Sequence, residues 1–212
     1  MRCTWKGRDL VRAWFPVLGQ MGVANGITTA GAAAGFIGIL AASQGEFRLA
    51  AALLFGAIVC DRLDGMVATR RGETSAFGGQ LDSLSDGLSL CLLPAYLGYR
   101  LGLDSTFAVA ILTFFVLAGL WRLADFNLEG TTNRSGRSCF RGIPTTVAAS
   151  WLLIAISLVL VAPDPVRSAV LLAVFGASAL LMISPLPYPK EGMATKILYV
   201  ALPLAMLFVW LP

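Results

Sequence analysis

Histidine is absent from all 212 residues. A Ser-His-Asp triad is therefore excluded, and any general base must be a carboxylate, Lys, Tyr or thiolate. Cysteine is scarce: Cys3, Cys60, Cys91 and Cys139 are scattered without a CxxC pair. That argues against a zinc site or a disulfide framework. Cys60 and Cys91 fall in apolar runs and read as small packing residues. Charge is also scarce, at 13% of residues, and no long polar stretch offers a separate soluble domain.

What fills the chain instead is hydrocarbon. It is 57% hydrophobic, with mean hydropathy +0.77. This composition predicts an all-α, polytopic transmembrane helical bundle. Residues 1–20 place Arg2, Lys6, Arg8 and Arg12 among Trp5, Trp14 and Phe15. They predict an interfacial amphipathic helix resting on anionic membrane lipids rather than a cleavable signal peptide. Residues 21–212 then form one transmembrane domain.

Seven apolar segments can be counted, within a range of six to eight helices. They run over about 25–42, 47–68, 79–98, 106–127, 144–161, 166–184 and 194–211. The first is rich in Gly and Ala, which lets helices approach closely. LEGTTNRSGRSCFRG, after the fourth segment, reads as a polar loop, and PLPYPKEG, before the last, as a turn-rich connector. With these spans, 13 of the 16 Lys and Arg residues fall on the side of the N-terminus. Only Arg48, Arg100 and Arg167 fall on the other. The positive-inside rule puts the richer side in the cytoplasm, in the cell (inner) membrane.

Asp61, Asp64, Asp82 and Asp86 stand out against this background. The first two close the second apolar segment at spacing i, i+3. The last two open the third at i, i+4. Each pair shares a helix face, and a hairpin of the two helices makes all four converge. One charged residue deep in a membrane helix costs roughly 2.5–3.5 kcal/mol. Four converging anions need cations or protons, and hard divalent ions held through oxygen, Mg²⁺ or Mn²⁺, are the natural solution. Two such ions can clamp a phosphate while an Asp takes a proton. Acidic clusters also mark ion paths, so a cation transporter is the rival class. Leu88, Leu90, Leu92 and Leu93 after Asp86, and Leu53, Leu54, Phe55 and Ile58 before Asp61, end the polar zone at one side. That favours an enzyme.

The spacing D-x2-D-G-x2-A-x9-G-x3-D-x3-D resembles the signature of the CDP-alcohol phosphotransferases. Asp61, Asp64, Gly65, Ala68, Gly78, Asp82 and Asp86 fall in register. The resemblance implies that Asp61, Asp64, Asp82 and Asp86 are metal ligands, with Asp86 also the catalytic base. It implies that Asn25, Thr28, Gly65, Thr69, Ser75 and Gly78 line the CDP-lipid site. Thr69 stands where the family has Arg, with Arg70 and Arg71 next. A one-residue shift turns a helical position by about 100°, so Arg70 could substitute only if the helix has ended.

SAFGGQLDSLSDGLSLCLLPA, RLADFN, FRGIPTTVAA and LMISPLPYPK are similar to runs in the phosphatidylserine synthase branch. The implied reaction joins CDP-diacylglycerol to a small alcohol, serine favoured, and releases CMP. Glycerol phosphate, inositol phosphate and choline are the alternative acceptors. Arg122, Arg137 and Arg141 are acceptor-site candidates, because a serine carboxylate needs a cationic partner, and Asn127, the last residue of RLADFN, is a fourth. Asp125 replaces an Arg of the similar runs, and Thr146 a Pro. If Asp125 faces the acceptor, it would favour an amine or polyol. The family also implies a homodimer, and no nucleic-acid partner is expected.

Overall fold

A computed structural model describes residues 15–129, 132–134, 137–160 and 164–189, with 198, 201–204 and 207. Helix α1 is Val23–Ser43 and α2 is Phe47–Arg71. Helix α3, Ala76–Asp86, continues through a π-helical stretch, Gly87–Leu92, into α4, Leu93–Arg100. Helix α5 is Thr106–Glu129, α6 is Thr145–Val159 and α7 is Asp164–Met182. Six of the seven expected apolar segments are thus helical, close to the expected bounds. The seventh lies mostly outside the described residues, although 201–204 are helical. The expected interfacial segment lies outside them up to residue 14, and Leu18–Gln20 form a single 3₁₀ turn.

The turn between α2 and α3 decides where the site forms. Gly72 ends α2 in the left-handed conformation, φ +65°, and the Glu73 N–H donates to the Ala68 carbonyl at 2.9 Å. This is the glycine-closed C-terminus that lets a helix stop and the chain reverse. Ser75 then caps α3, its Oγ accepting from the Gly78 N–H at 3.0 Å. Two helices are joined head to tail across four residues, as the aspartate spacing required. After Asp86 the wider π turn interrupts the ladder. Pro94, lacking an N–H, sits in the first turn of α4 just beyond it.

Helix α1 packs along α2 and α3 through its small face, with Gly31, Gly35 and Gly38 buried. Helix α6 is buried on nearly every side, from Thr145 to Val159. One core gathers Leu97, Leu112, Leu152, Ile156 and Leu171 around Phe115 and Phe175, whose rings meet edge to face at 5.1 Å. A second joins Leu54, Ile58, Leu90, Leu93 and Leu153. Outward faces stay apolar, with Phe36, Ile37, Leu40, Phe107, Leu158 and Leu180 exposed. Among the described residues, α1 and α5 are long and apolar enough to cross a membrane. The fold is that of an all-α helical membrane protein.

The two connectors read as loop and turn pair with each other. Strands β1 (Thr132–Arg134), β2 (Arg137–Arg141) and β3 (Pro187–Pro189) form an antiparallel sheet in the order β1-β2-β3. Phe140 lies opposite Tyr188. Strands of three to five residues are too short to show an alternating pattern, so the sequence carries no signal for them.

Replacing Phe175 by Ala should destabilise the bundle by about 2 kcal/mol or more, measured as unfolding in detergent. The cost falls below the ~3–5 kcal/mol of a water-soluble core. The difference arises because a helix face released into lipid loses packing but gains no contact with water.

Candidate active site

One end of the bundle collects the helix ends that matter. The start of α1, the end of α2, the start of α3, the end of α5 and the start of α6 all meet there. The contacts joining them are polar. The Ala24 N–H donates to Glu73 Oε2 at 3.1 Å, and Ser83 Oγ donates to Asn127 Oδ1 at 3.0 Å. The opposite end is marked by Arg100, donating to the Ser43 carbonyl at 2.6 Å, and by Arg167, donating to that of Val159 at 3.1 Å. Among the described residues, Arg62, Arg70 and Arg122 line the cavity at the first end.

Asp61, Asp82 and Asp86 converge. One oxygen from each lies within 4.8 Å of the others. Asp64 stands beside them on the α1 side, where Thr28 Oγ1 donates to its Oδ2 at 2.6 Å. Asp61 Oδ2 accepts from Thr146 Oγ1 at 2.9 Å, and Asp86 Oδ2 from Thr145 Oγ1 at 3.2 Å. Asp64 and Asp86 are buried. All four line one cavity of about 760 Å³.

The expected nucleotide-side residues line the same cavity: Asn25, Thr28, Gly65, Thr69, Ser75 and Gly78. A Cβ on Gly65 would meet nothing within 4 Å, so a side chain there would enter open cavity. Gly78 is different. A Cβ there would lie 2.9 Å from Asn25 Oδ1, so its smallness serves packing between α1 and α3. Thr69 spends its hydroxyl on its own helix, donating to the Gly65 carbonyl at 2.8 Å. Helix α2 does not end before Arg70; it runs to Arg71, so Arg70 keeps its own direction, although it too lines the cavity. Arg71 pairs with Glu73 at 3.9 Å.

The acceptor candidates separate. Arg122 is buried, lines the cavity, and lies close enough to Asp86 and Asp61 for their charges to interact. Its guanidinium sits 5.3 Å from the Phe126 ring centre, a cation–π distance. Asn127 is engaged with Ser83 and Gln80 and lies outside the cavity lining. Arg141 pairs with Glu129 at 3.4 Å and with Asp125 at 4.0 Å, also outside the lining. Asp125 lies outside the cavity lining, beside Arg141. The Arg137 side chain lies outside the described residues.

Thr145, Glu73 and Tyr188 line the cavity and were not singled out from sequence. Two hydroxyls opening an otherwise apolar span, after a Pro, were the available signal for Thr145 and Thr146. Nothing local marks Glu73 or Tyr188.

The donor set is all oxygen, anionic and partly dry. Carboxylates alone, without sulfur or imidazole, suit Mg²⁺ or Mn²⁺. The residues fit such an ion. They also lie beside space large enough for a nucleotide.

Comparison with known proteins gives this arrangement a family. The CDP-alcohol phosphatidyltransferase profile matches residues 21–206. The chain belongs to the CDP-alcohol phosphatidyltransferase family. It is 43% identical over 97 residues to a CDP-diacylglycerol–serine O-phosphatidyltransferase of Saccharomyces cerevisiae, covering 42% of this chain and 34% of that one. It is 35% identical over 129 residues to the protein of the same name from Helicobacter pylori, covering 58% and 52%. It is 32% identical over 169 residues to an archaetidylserine synthase of Methanothermobacter thermautotrophicus, covering 78% and 69%. The chain thus spans a third to a half of the first two relatives. The CDP-alcohol phosphatidyltransferase match includes both aspartate pairs, the α2–α3 turn and the start of α6.

Gly65→Leu should fold normally and lose CDP-lipid binding, since a Cβ there meets no protein atom within 4 Å and the position lines the cavity. Calorimetric titration of the folded variant with CDP-diacylglycerol checks this; undiminished binding would place the nucleotide elsewhere.

Proposed function

We propose that the chain is an integral membrane phosphatidyltransferase that moves a phosphatidyl group from CDP-diacylglycerol to the hydroxyl of serine, releasing CMP. The observation that carries this reading is the convergence of Asp61, Asp82 and Asp86 inside a 760 Å³ cavity that Gly65 leaves open. The names of the similar proteins support a serine acceptor. The archaetidylserine synthase among them keeps the acceptor named in the other two while its name changes the lipid.

In this reading Asp61, Asp64, Asp82 and Asp86 hold Mg²⁺ or Mn²⁺. Bound divalent ions neutralise the diphosphate and stabilise the attacking and leaving oxygens. The chain's own residues do the rest. Asp86 takes the acceptor hydroxyl proton. The acceptor oxygen bonds to the lipid-bearing phosphorus as the bond from that phosphorus to the oxygen of CMP breaks. Asn25, Thr28 and Ser75 border the nucleotide, and Gly65 allows its close approach. Arg122 supplies the cation for the serine carboxylate.

The proposal extends to context. Residues 21–212 act as one catalytic domain in the cell membrane with residues 1–20 at the interface, and the site faces the cytoplasm, where serine and metal ions are available. Exposed apolar faces on α1 and α5 leave room for a homodimer.

Serine, glycerol 3-phosphate, inositol phosphate and choline should be offered separately with CDP-diacylglycerol and Mn²⁺. Serine should give the fastest CMP release, and a faster rival would replace it. Asp86→Asn should lower turnover by a factor of about 10² or more, the scale of a lost general base. CDP-lipid binding should survive in part; unchanged turnover would remove Asp86 from the base role. Arg122→Gln should raise the serine KM by roughly 10-fold or more, the worth of a charge-assisted hydrogen bond, with less effect on kcat.

A further inference from the structure

Three of the four carboxylates accept a hydrogen bond from a threonine. Thr28, on α1, reaches Asp64, while Thr146 and Thr145, the first two residues of α6, reach Asp61 and Asp86. Among the described residues, Asp82 accepts no hydroxyl. Resting on the metal-site reading above, we propose that Thr145 and Thr146 are positioning residues, which fix the Asp86 and Asp61 carboxylates for a divalent cation from outside the helices that carry them.

Their place in the helix explains why they can. A threonine inside a helix commonly turns its hydroxyl back to the carbonyl four residues earlier. Thr69 does so with Gly65, Thr29 with Asn25 and Thr113 with Val109. At the first two positions of a helix there is no preceding turn to receive the bond. The hydroxyls of Thr145 and Thr146 are therefore released outward, and each finds a carboxylate in another helix. A carboxylate otherwise swings widely about its last torsion. A hydroxyl on one oxygen fixes its plane and leaves the other oxygen, with its lone pairs, for a ligand.

The start of α6 is itself held in place. The Gly142 N–H donates to the Leu186 carbonyl at 2.9 Å, and the Ile143 N–H to that of Leu181 at 3.2 Å. Gly142 has φ +69°, and a Cβ there would fall on the Met182 carbonyl oxygen and within 2.8 Å of that of Leu181. Pro144 follows as the residue preceding the helix, with φ −62°. The threonine pair is thus fastened to the end of α7. Both ligand-bearing helices take their alignment from a third and a fourth.

The test uses the full chain in nanodiscs and Mn²⁺ alone, followed by electron paramagnetic resonance, without CDP-lipid. Thr146→Val and Thr145→Val keep side-chain shape and remove only the donor. Each should raise the Mn²⁺ Kd about tenfold or more, the usual effect of losing an outer hydrogen bond to a metal ligand. Thr146→Ser and Thr145→Ser, which restore the hydroxyl, should return the Kd to the wild-type value. Turnover of the Val variants should recover as Mn²⁺ is raised, placing the defect in metal KM rather than kcat. Val variants that melt like wild type and bind Mn²⁺ equally well would overturn the proposal. Wild-type protein that binds no Mn²⁺ would overturn the metal reading, and this proposal with it.

Discussion

Like charge held at close range in an apolar bundle is the constraint on which the rest of this structure depends. Three carboxylates offer oxygens within 4.8 Å of one another. At an effective dielectric near 20, each pair of full charges at that distance repels by about 3–4 kcal/mol. Nothing in the lipid phase offsets this, so the compensation must come from protons, protein donors, water or cations. The chain supplies part of it: three threonine donors, worth roughly 1.5–3 kcal/mol each against a charged acceptor, and the buried Arg122 nearby. Three donors and one guanidinium do not neutralise four carboxylates. On the proposed reading, the negative charge that remains is what hard cations answer.

The same constraint explains why the site lies at one end of the bundle. Ile58, one turn before Asp61, and Leu90, one turn after Asp86, are fully buried, with Leu54 and Leu93 beyond them. They form an apolar floor. An ion path would need polar groups continuing through that floor. A group-transfer site, as proposed here, needs no such path, and the closed floor confines the polar groups to one end.

Helical spans and the aspartate constellation were legible in sequence because both rest on strong local signals. An apolar run of some 20 residues has few alternatives, and paired Asp at i, i+3 and i, i+4 has a fixed consequence on a helix. What could not be read were contacts made across the chain. Thr146 lies 85 residues from Asp61, and Thr145 lies 59 from Asp86. No spacing rule connects them. Asp125 looked like a message about the acceptor because the sequence could not show Arg141 and Glu129 beside it. The β1–β2–β3 sheet was hidden by its own brevity.

These ties divide the site into two halves with different structural origins. The carboxylates ride on one hairpin, α2 and α3, and the four-residue turn between them allows little independent movement. The groups that touch them come from elsewhere: Thr28 from α1, Arg122 from α5, Thr145 and Thr146 from α6. On the proposed reading, changes on the hairpin act on metal and nucleotide together, since the residues assigned to both lie on the same few turns. Changes on α5 act on a wall of the cavity without altering the spacing of the carboxylates. On the same proposed reading, one alcohol can be exchanged for another through residues such as Arg122 while the aspartate spacing stays as it is. The aspartates, on the proposed reading, identify the family, and the acceptor is recognised from α5, where the Arg122 guanidinium lines the cavity.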